Sequence, residues 1–491
     1  MRVLHIGRGF RPFLINGLLG YAEDLMDIQV AHGYKVAYFF SGRHYPLLRR
    51  PWLRKWLRKD IRMYEIINSP ICRGFEQGTM YPELDLNEEY SEKFLEKTLS
   101  EFKPDIVHIQ DLFGLPSSLI DIVKLKDIPV LMTLHDYFPL CPTSKLFDYK
   151  HSICSSQYVG DKCVSCCAQA PGNSSYMIDF TLQFEKKRWL PKTLRNKLKA
   201  IKYLLKPFIK SLLKPFFSSL RNKNAVQNID YSFKKINFLE EVFQERRYVN
   251  IERLNKLDLL VSQSFKTAEI YQELGIQAKR IKTIHSTPKH IDYVKPKKME
   301  EVILPINFVT LNGCASVQKG VYLILNALRE LKKLGLTSHF RLFVMGSVLG
   351  SVKDELLQFD NVVYHGPYNV TDLDSLLEEM HVGLVPSVWE EVYGYVGIEF
   401  LAKGIPVIGN NLGGIVDYTV DNVTGRLNKD NTAEGLAQIM AAIIQNPGQI
   451  LDLNRSIISG YHQVIKSMDG HFDEINKIYK DLSLANQKQE V

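Results

Sequence analysis

The sequence predicts an α/β protein of two domains, each a parallel sheet covered on both faces by helices. The chain has 491 residues, more than one hydrophobic core normally organises. Short apolar runs alternate with helical patterns near the N-terminus and again from about residue 305, which is the order typical of parallel sheets. A composition of 45% hydrophobic and 24% charged residues indicates a globular protein and excludes a disordered or multispanning chain.

The first domain begins with a strand, a glycine-punctuated loop and a helix. Short apolar runs bounded by polar residues or proline predict its strands at 3–6, 35–40, 106–109, 130–134 and 257–261. Residues 137–250 interrupt this pattern with a cysteine cluster, a basic segment and no strand alternation. We expect them to form an insertion on the N-terminal domain.

The second domain repeats the same alternation of strands and helices. Its predicted strands lie at 308–311, 342–345, 362–364, 383–385 and 406–408. The boundary between the two domains is therefore expected near 295–304.

The first residues contain no apolar leader segment, and no window of about 20 apolar residues predicts a membrane-spanning helix. The sequence therefore predicts a cytoplasmic protein.

The most specific motif is PSVWEEVYGYVGIEFL at 386–401, followed by GIPVI at 404–408 and glycines at 413 and 414. This combination closely resembles the retaining glycosyltransferases of family four. The resemblance implies the GT-B fold, two Rossmann-like domains facing each other across a cleft. It also implies that the C-terminal domain holds most of a nucleotide-sugar donor.

Applied to this chain, the resemblance divides it into an acceptor domain at 1–300 and a donor domain at 301–465. A final helix in 466–491 is expected to pack back on the N-terminal domain. The resemblance covers nearly the whole chain apart from about 137–250.

Two glutamates separated by seven residues carry the donor-site prediction. By resemblance, Glu391 accepts hydrogen bonds from the donor sugar and acts in catalysis, and Glu399 accepts hydrogen bonds from the nucleotide ribose. A helix that opens near Gly394 would place both carboxylates on one cleft. Its first backbone N–H groups, at Gly394 and Tyr395, would favour a phosphate. The neighbours Tyr393 and Val396 complete this part of the predicted donor site.

The loop LNGCASVQKG at 311–320 follows a predicted strand and precedes a helix. By resemblance, Lys319 holds the donor diphosphate and acts in catalysis, and Gly313 lies beside it. Cys314 stands where the family usually has an arginine. Stabilisation of phosphate charge is thus left to Lys319, helix N-termini and an arginine from elsewhere.

Further candidates follow other strands. Gly346, His365 and Gly366 are predicted donor contacts, because ligands bind outside the carboxyl ends of parallel strands. Gly17 and Asp136 are predicted on the acceptor side. His135, at the end of the strand 130–134, is predicted to have a catalytic or orienting role, since histidine titrates near neutrality.

Five of the seven cysteines lie between 141 and 167. Two of them form a CxxC turn, and disulfides are rare in the cytosol, so the spacing predicts a structural zinc ion or else buried free thiols. The predicted ligands are Cys141, Cys154, Cys163 and Cys166, with Cys167 as a substitute. No cofactor is expected to be required for catalysis.

The net charge of +8 is concentrated in one segment. Residues 186–223 contain thirteen Lys or Arg and no acidic residue, which leaves 49 basic against 54 acidic residues elsewhere. This segment and the stretch 49–59 combine cations with aromatic residues, a pattern that favours peripheral contact with an anionic membrane. Nucleic acid and a solvated helical hairpin are the alternatives, and nucleic acid is not favoured.

The expected function is transfer of a sugar, with retention, from a UDP- or GDP-sugar to a cell-surface polysaccharide, such as lipopolysaccharide or capsule, or to a lipid-linked saccharide. Work at the inner face of the cell membrane fits this function. Two alternatives remain open at this point. One is a non-catalytic, membrane-docked partner of polysaccharide assembly, and the other is a nucleotide-sugar epimerase of the same fold.

Overall fold

The structure is a computed structural model and describes residues 1–47, 50–71, 74, 77–172, 174–189 and 233–487. Within these residues the strands form one sheet of eight strands and one of six. Residues 190–223 of the predicted basic segment lie outside the described residues. The fold has the two parallel sheets predicted from the sequence.

The first sheet belongs to the N-terminal domain. Its strands are β1 (Arg2–Arg8), β2 (Lys35–Ser41), β3 (Trp52–Arg58), β4 (Ile61–Ile67), β5 (Ile106–Ile109), β6 (Val130–Leu134), β7 (Leu259–Ser262) and β8 (Ile281–Thr283). They lie in the order β3-β4-β2-β1-β5-β6-β7-β8, and only β3 and β4 pair antiparallel. Every residue of β5 and β6 is buried, as expected for strands covered on both faces.

Helices cover both faces of this sheet. They are α1 (Gly17–Ala31), α2 (Glu89–Phe102), α3 (Leu119–Lys124), α4 (Gly160–Cys166), α5 (Ser175–Trp189), α6 (Phe233–Lys256) and α7 (Phe265–Glu273). Helix α1 begins where the side chain of Asn16 accepts a hydrogen bond from the Leu19 N–H at 2.9 Å, a typical N-cap. The described residues between β6 and β7 contain helices and no strand.

The second sheet belongs to the C-terminal domain. Its strands are β9 (Ile306–Leu311), β10 (Phe340–Met345), β11 (Val362–Gly366), β12 (Val382–Val385), β13 (Val407–Asn410) and β14 (Gly425–Asn428). They run parallel in the order β11-β10-β9-β12-β13-β14. The helices of this domain are α8 (Val321–Lys333), α9 (Gly350–Leu356), α10 (Leu373–Leu376), α11 (Tyr395–Ala402), α12 (Ile415–Tyr418), α13 (Ala433–Gln445), α14 (Gly448–Ser459) and α15 (Tyr461–Val464).

The last helix, α16 (Met468–Gln487), returns to the N-terminal domain. Its residues Met468, Phe472 and Tyr479 are buried in one apolar cluster with side chains of β1 and α1. Within the described residues the chain therefore crosses between the domains twice, at about 284–291 and at 465–468. The crossings lie side by side, because the Met468 N–H donates to Asp292 at 3.1 Å and the Lys466 ammonium to the His285 carbonyl at 3.3 Å.

Strand β3 was not predicted from the sequence, and contact of the stretch 49–59 with an anionic membrane stays a prediction. The described part of the basic stretch 49–59 forms an edge strand, paired antiparallel with β4. Its charged and aromatic residues alternate with the period of two of a strand, so Arg54, Trp56 and Arg58 share one face. Strands β4, β8 and β14 were also not predicted, since they are short or carry charged residues.

In each sheet the strand order reverses beside the first strand, between β1 and β5 and between β9 and β12. The loops that follow the carboxyl ends of strands at such a reversal form the usual ligand crevice of open α/β sheets. The loops after β1, β9 and β12 face each other across one cleft, and this cleft is the candidate site.

Candidate active site

The cleft between the two domains has a volume of about 560 Å³. The N-terminal domain contributes the loop after β1 and the start of α1, together with the end of β6. The C-terminal domain contributes the loops after β9 and β12 and the start of α11. The predicted site residues that line the cleft are Gly17, His135, Gly313, Lys319, Glu391, Tyr393, Gly394, Tyr395, Val396 and Glu399.

Glu391 is held by three neighbouring side chains at the bottom of the cleft. Its carboxylate is largely buried and accepts two hydrogen bonds from Lys319, at 2.7 and 2.9 Å. Ser387 and the Trp389 indole N–H each donate to Oε2 at 2.9 Å. Among the described residues, Oε1 accepts only from Lys319, so it keeps acceptor capacity for a hydroxyl in the cleft.

Lys319 brings a positive charge to the same place. Its side chain is 34% exposed, and its ammonium also lies 5.7 Å from the centre of the Trp389 ring. An ammonium has three N–H donors, and two of them are directed at Glu391. The third donor and the exposed side of the charge are available to an anion in the cleft.

Glu399 lies on α11 at the other end of the cleft. One carboxylate oxygen contacts the His290 ring at 2.8 Å, and the other is buried without a hydrogen-bond partner among the described residues. A buried carboxylate oxygen that lacks a donor is costly, so this position favours a ligand that supplies one. A ribose hydroxyl has that chemistry.

The start of α11 faces the cleft between these two glutamates. Gly394 precedes the helix with φ of 76°, a conformation that glycine adopts without strain. The first N–H groups of a helix lack intrahelical partners and carry the positive end of its dipole. This helix end therefore suits a phosphate group.

Cys314 does not take part in the cleft. It is fully buried in the apolar core of the C-terminal domain, and burial raises the pKa of its thiol to about 12. Arg11 does line the cleft, but its guanidinium is engaged with Glu23 and with the Gly20 carbonyl. Lys319 is thus the cation best placed for a phosphate.

His135 lies between two glutamines. The Gln263 amide donates to the Leu134 carbonyl at 3.1 Å and to Nδ1 of His135 at 2.6 Å, and Nε2 of His135 contacts the Gln110 oxygen at 2.9 Å. This arrangement fixes a neutral imidazole that donates through Nε2. Burial, then Arg8 and His471, lowers the pKa of His135 to about 3. The geometry supports an orienting role and disfavours a general base.

Four predicted residues lie outside the cleft lining. Gly346 follows β10, and His365 and Gly366 end β11, at the side of the sheet away from the reversal point. Asp136 accepts a hydrogen bond from Arg8 at 2.8 Å and another from the Phe138 N–H at 2.8 Å. Asp136 therefore stabilises the turn after β6.

A match to a known family now identifies the second domain. Residues 307–461 match the family model described as "Glycosyl transferases group 1". Residues 307–461 are a group 1 glycosyltransferase domain. The matched range contains Lys319, Glu391 and Glu399, so these three cleft-lining side chains all belong to this domain.

Relatives and solved structures agree with this result. The chain is 25% identical over 205 residues to the "Uncharacterized 41.2 kDa protein in cps region" of Klebsiella pneumoniae. It is 30% identical over 125 residues to the lipopolysaccharide 1,2-N-acetylglucosaminetransferase of Salmonella typhimurium. These matches cover 40% and 23% of this chain and 56% and 32% of the relatives. The chain thus matches only about half or less of each curated relative.

One solved structure shows the fold across the whole chain. Anabaena HepE in complex with UDP superposes with a TM-score of 0.53 and 12% identity, over 98% of this chain and 100% of that chain. The protein has the GT-B fold, and the range matched by the group 1 model lies in its C-terminal domain. Among the described residues, no helix has the length and apolar character needed to cross a bilayer.

The cysteine cluster includes residues of α4 and lies apart from the cleft between the domains. Cys154, Cys163 and Cys167 are buried with Phe243 in an apolar cluster, and burial raises the pKa of Cys166 to about 12. No group of three or more His, Cys, Asp or Glu among the described residues is arranged to hold a metal ion. The structure does not assemble the predicted ligand set, and zinc here stays a prediction from spacing.

Sequence patterns did not identify four residues that complete the site: Ser387, Trp389, Gln263 and His290. The first two stand inside the donor motif, where a buried serine and tryptophan resemble core residues. Gln263 and His290 come from segments outside the recognised motifs, so only the fold brings them to the cleft.

Lowering the pH from 7 to 5 should lower the Tm. The unfolded chain takes up protons near the ordinary histidine pKa of 6.5, whereas burial lowers the pKa of His5 to about 4 and of His471 to about 3 in the folded protein. Above pH 6.5 both states are neutral, so these histidines do not reduce the free energy of unfolding. Below pH 6.5 the unfolded state is protonated first, and the free energy of unfolding falls by about 1 to 2 kcal/mol for each histidine at pH 5.

Calorimetry between pH 5 and 7 measures this effect. His471→Gln should reduce the dependence of Tm on pH, and His462→Gln, at an exposed position, should leave it unchanged. A Tm that is constant or rises on acidification contradicts the assignment.

Proposed function

We propose that this protein transfers a sugar from a UDP- or GDP-sugar, with retention, to a cell-surface polysaccharide or lipid-linked saccharide. One observation carries the proposal: Glu391, Lys319 and Glu399 line the same cleft around the start of α11. These groups suit the sugar, the diphosphate and the ribose of one donor molecule. The group 1 family match and the transferase relative support this function.

The chemical problem at this site is the charge of the leaving group. Negative charge grows on the diphosphate oxygens as the bond to the sugar breaks. Lys319 and the first N–H groups of α11 are fixed donors beside that position, so they lower the barrier without reorganising. Glu391 holds the Lys319 ammonium in place and offers Oε1 to a sugar hydroxyl.

The titratable groups of the cleft are consistent with transfer that retains the configuration of the sugar and uses no protein nucleophile. Glu391 is bonded to Lys319, Ser387 and Trp389, which makes it a poor nucleophile. His135 keeps both ring nitrogens in hydrogen bonds and is a poor base. The departing phosphate is therefore the proposed acceptor of the proton from the attacking hydroxyl, with attack from the leaving-group side.

UDP is the first nucleotide to test, because HepE, which shares the fold, was solved with UDP. The experiment measures the Tm shift and nucleotide release with UDP-, GDP-, ADP- and CMP-sugars. We expect one donor to raise the Tm and to be slowly hydrolysed. Glu391→Ala should abolish both effects, because it removes the acceptor for the sugar and the anchor of Lys319.

Glu379→Ala is the matched control. It removes a carboxylate of the same domain at an exposed position before β12, away from the cleft. This variant should respond to the donor as the wild type does. No shift with any donor at millimolar concentration would instead support the non-catalytic alternative.

A further inference from the structure

A second pocket, of about 550 Å³, lies in the N-terminal domain beside the cleft. Arg11 lines both cavities, so the two share a wall. We propose that this pocket binds the lipid phosphate end of a lipid-linked acceptor. The assignment as an acceptor site rests on the proposed function, whereas the binding of an anionic amphiphile can be tested by itself.

Strand β3 builds one side of the pocket. Because side chains alternate along a strand, Arg54, Trp56 and Arg58 all project from the same face, and all three line the pocket. Lys55 projects from the opposite face and pairs with Glu101. One face of an edge strand thus presents two guanidinium groups with an indole between them.

Aromatic side chains form the apolar part of the pocket. The Phe10 ring lies 5.2 Å from the Trp56 ring and 5.9 Å from the Phe184 ring, both edge to face. Phe184 comes from α5 and also lines the pocket, as do Lys187 and Arg188, about one turn further along this helix. An apolar surface and a cationic rim therefore meet in a single cavity.

The cations of this pocket exceed the carboxylates that pair with them. Six cationic side chains line it: Arg11, Arg43, Arg54, Arg58, Lys187 and Arg188. Four carboxylates pair with some of them: Glu23, Asp24, Glu65 and Glu185. Neither Arg54 nor Lys187 has an ion pair with a carboxylate of the described residues. These two side chains are placed for an anion that the described residues do not supply.

The combination selects the class of ligand. A free sugar would not need the excess positive charge, and inorganic phosphate would not need the aromatic surface. A phosphate or diphosphate carried by an isoprenoid or acyl chain uses both. The chain's own residues 190–223 are an unfavourable occupant, because they contain ten Lys or Arg and no acidic residue.

Isothermal titration with farnesyl diphosphate below its micelle concentration tests the proposal. The wild type should bind it at least about tenfold more tightly than inorganic diphosphate, since the chain adds apolar contact. Arg54→Ala with Lys187→Ala should weaken farnesyl diphosphate binding by about tenfold or more, because two charge-assisted contacts are lost.

The matched control is Lys55→Ala with Lys186→Ala. It removes the same charge from the same strand and helix, one residue away from each target, and should change the affinity by less than about twofold. If both double variants lose the same affinity for farnesyl diphosphate, the binding is a general electrostatic attraction to the protein surface and the proposed pocket is overturned. The same conclusion follows if both lose binding to phosphatidylglycerol vesicles equally. Equal affinity for farnesyl diphosphate and inorganic diphosphate would overturn the role of the aromatic surface.

The donor-induced Tm shift, measured on the same variants, separates the two proposals. It should be unchanged by Arg54→Ala with Lys187→Ala, because neither residue lines the donor cleft. A wild type that binds farnesyl diphosphate but no nucleotide sugar would overturn the acceptor assignment, and the amphiphile pocket would still stand. A wild type that binds a nucleotide sugar but not farnesyl diphosphate would overturn the amphiphile pocket and leave the proposed sugar transfer standing.

Discussion

Lys319→Ala is expected to reduce turnover by about two orders of magnitude or more. Loss of one fixed donor to a developing negative charge costs roughly 2.7 to 4 kcal/mol of transition-state stabilisation in enzymes where this has been measured. Cys314 is buried in the core and Arg11 is occupied by Glu23, so the cleft has little to replace Lys319. Steady-state sugar transfer or donor hydrolysis measures the effect.

The fold of the Lys319 variant should survive, since Glu391 keeps the donors Ser387 and Trp389. Its Tm without ligand should therefore change little. Lys333→Ala, at an exposed position on α8, is the control and should retain full turnover. Lys319→Arg should recover part of the activity, because the charge is kept. Near-normal turnover of Lys319→Ala would remove this residue from the mechanism.

Gly413→Ala is expected to destroy the donor site by displacing the Glu391 loop. A Cβ at position 413 would lie 2.1 Å from the Glu391 carbonyl oxygen and 2.4 Å from the Glu391 nitrogen, distances that force the backbone to move. We expect the free energy of unfolding to fall by about 3 kcal/mol or more. The donor-induced Tm shift should also be lost.

Gly335→Ala separates the clash from backbone strain. Gly335 has φ of 71° and Gly413 has φ of 51°, so both substitutions strain the backbone, but a Cβ at 335 meets nothing within 4 Å. The control should lose only about 1 to 2 kcal/mol and should keep the donor response. If both variants lose the same free energy of unfolding and show the same donor-induced Tm shift, the close packing of Gly413 against Glu391 does not hold the loop in place.

The sequence was most informative where function depends on contiguous residues. The run from Pro386 to Leu401 forms one loop and one helix start, so the family resemblance of this motif, together with its spacing, predicts that Glu391 and Glu399 share a cleft. Buried parallel strands are also recognisable from sequence, and the predicted bounds of β5 and β6 agree with the structure. Both features are local, so they need no knowledge of the fold.

The sequence was least informative where contacts are long-range. The neutral state of His135 depends on Gln110 and Gln263, which are 25 and 128 residues away. The partner of Glu399 is His290, 109 residues away. Strand β3 was not predicted, because the stretch 49–59 was interpreted only from its charges and aromatic residues. Its pairing with β4 could not be seen in composition.

The paired crossings near Asp292 and Lys466 determine how the cleft can open. Two connections at distant points would lock the domains together, and a single one would let them swivel freely. Two adjacent connections that are hydrogen-bonded to each other form a hinge. They favour one rotation of the domains, about the axis that passes through both connections. We therefore expect the cleft to open by a rotation that separates its N-terminal wall, with Gly17 and His135, from Lys319 and Glu391.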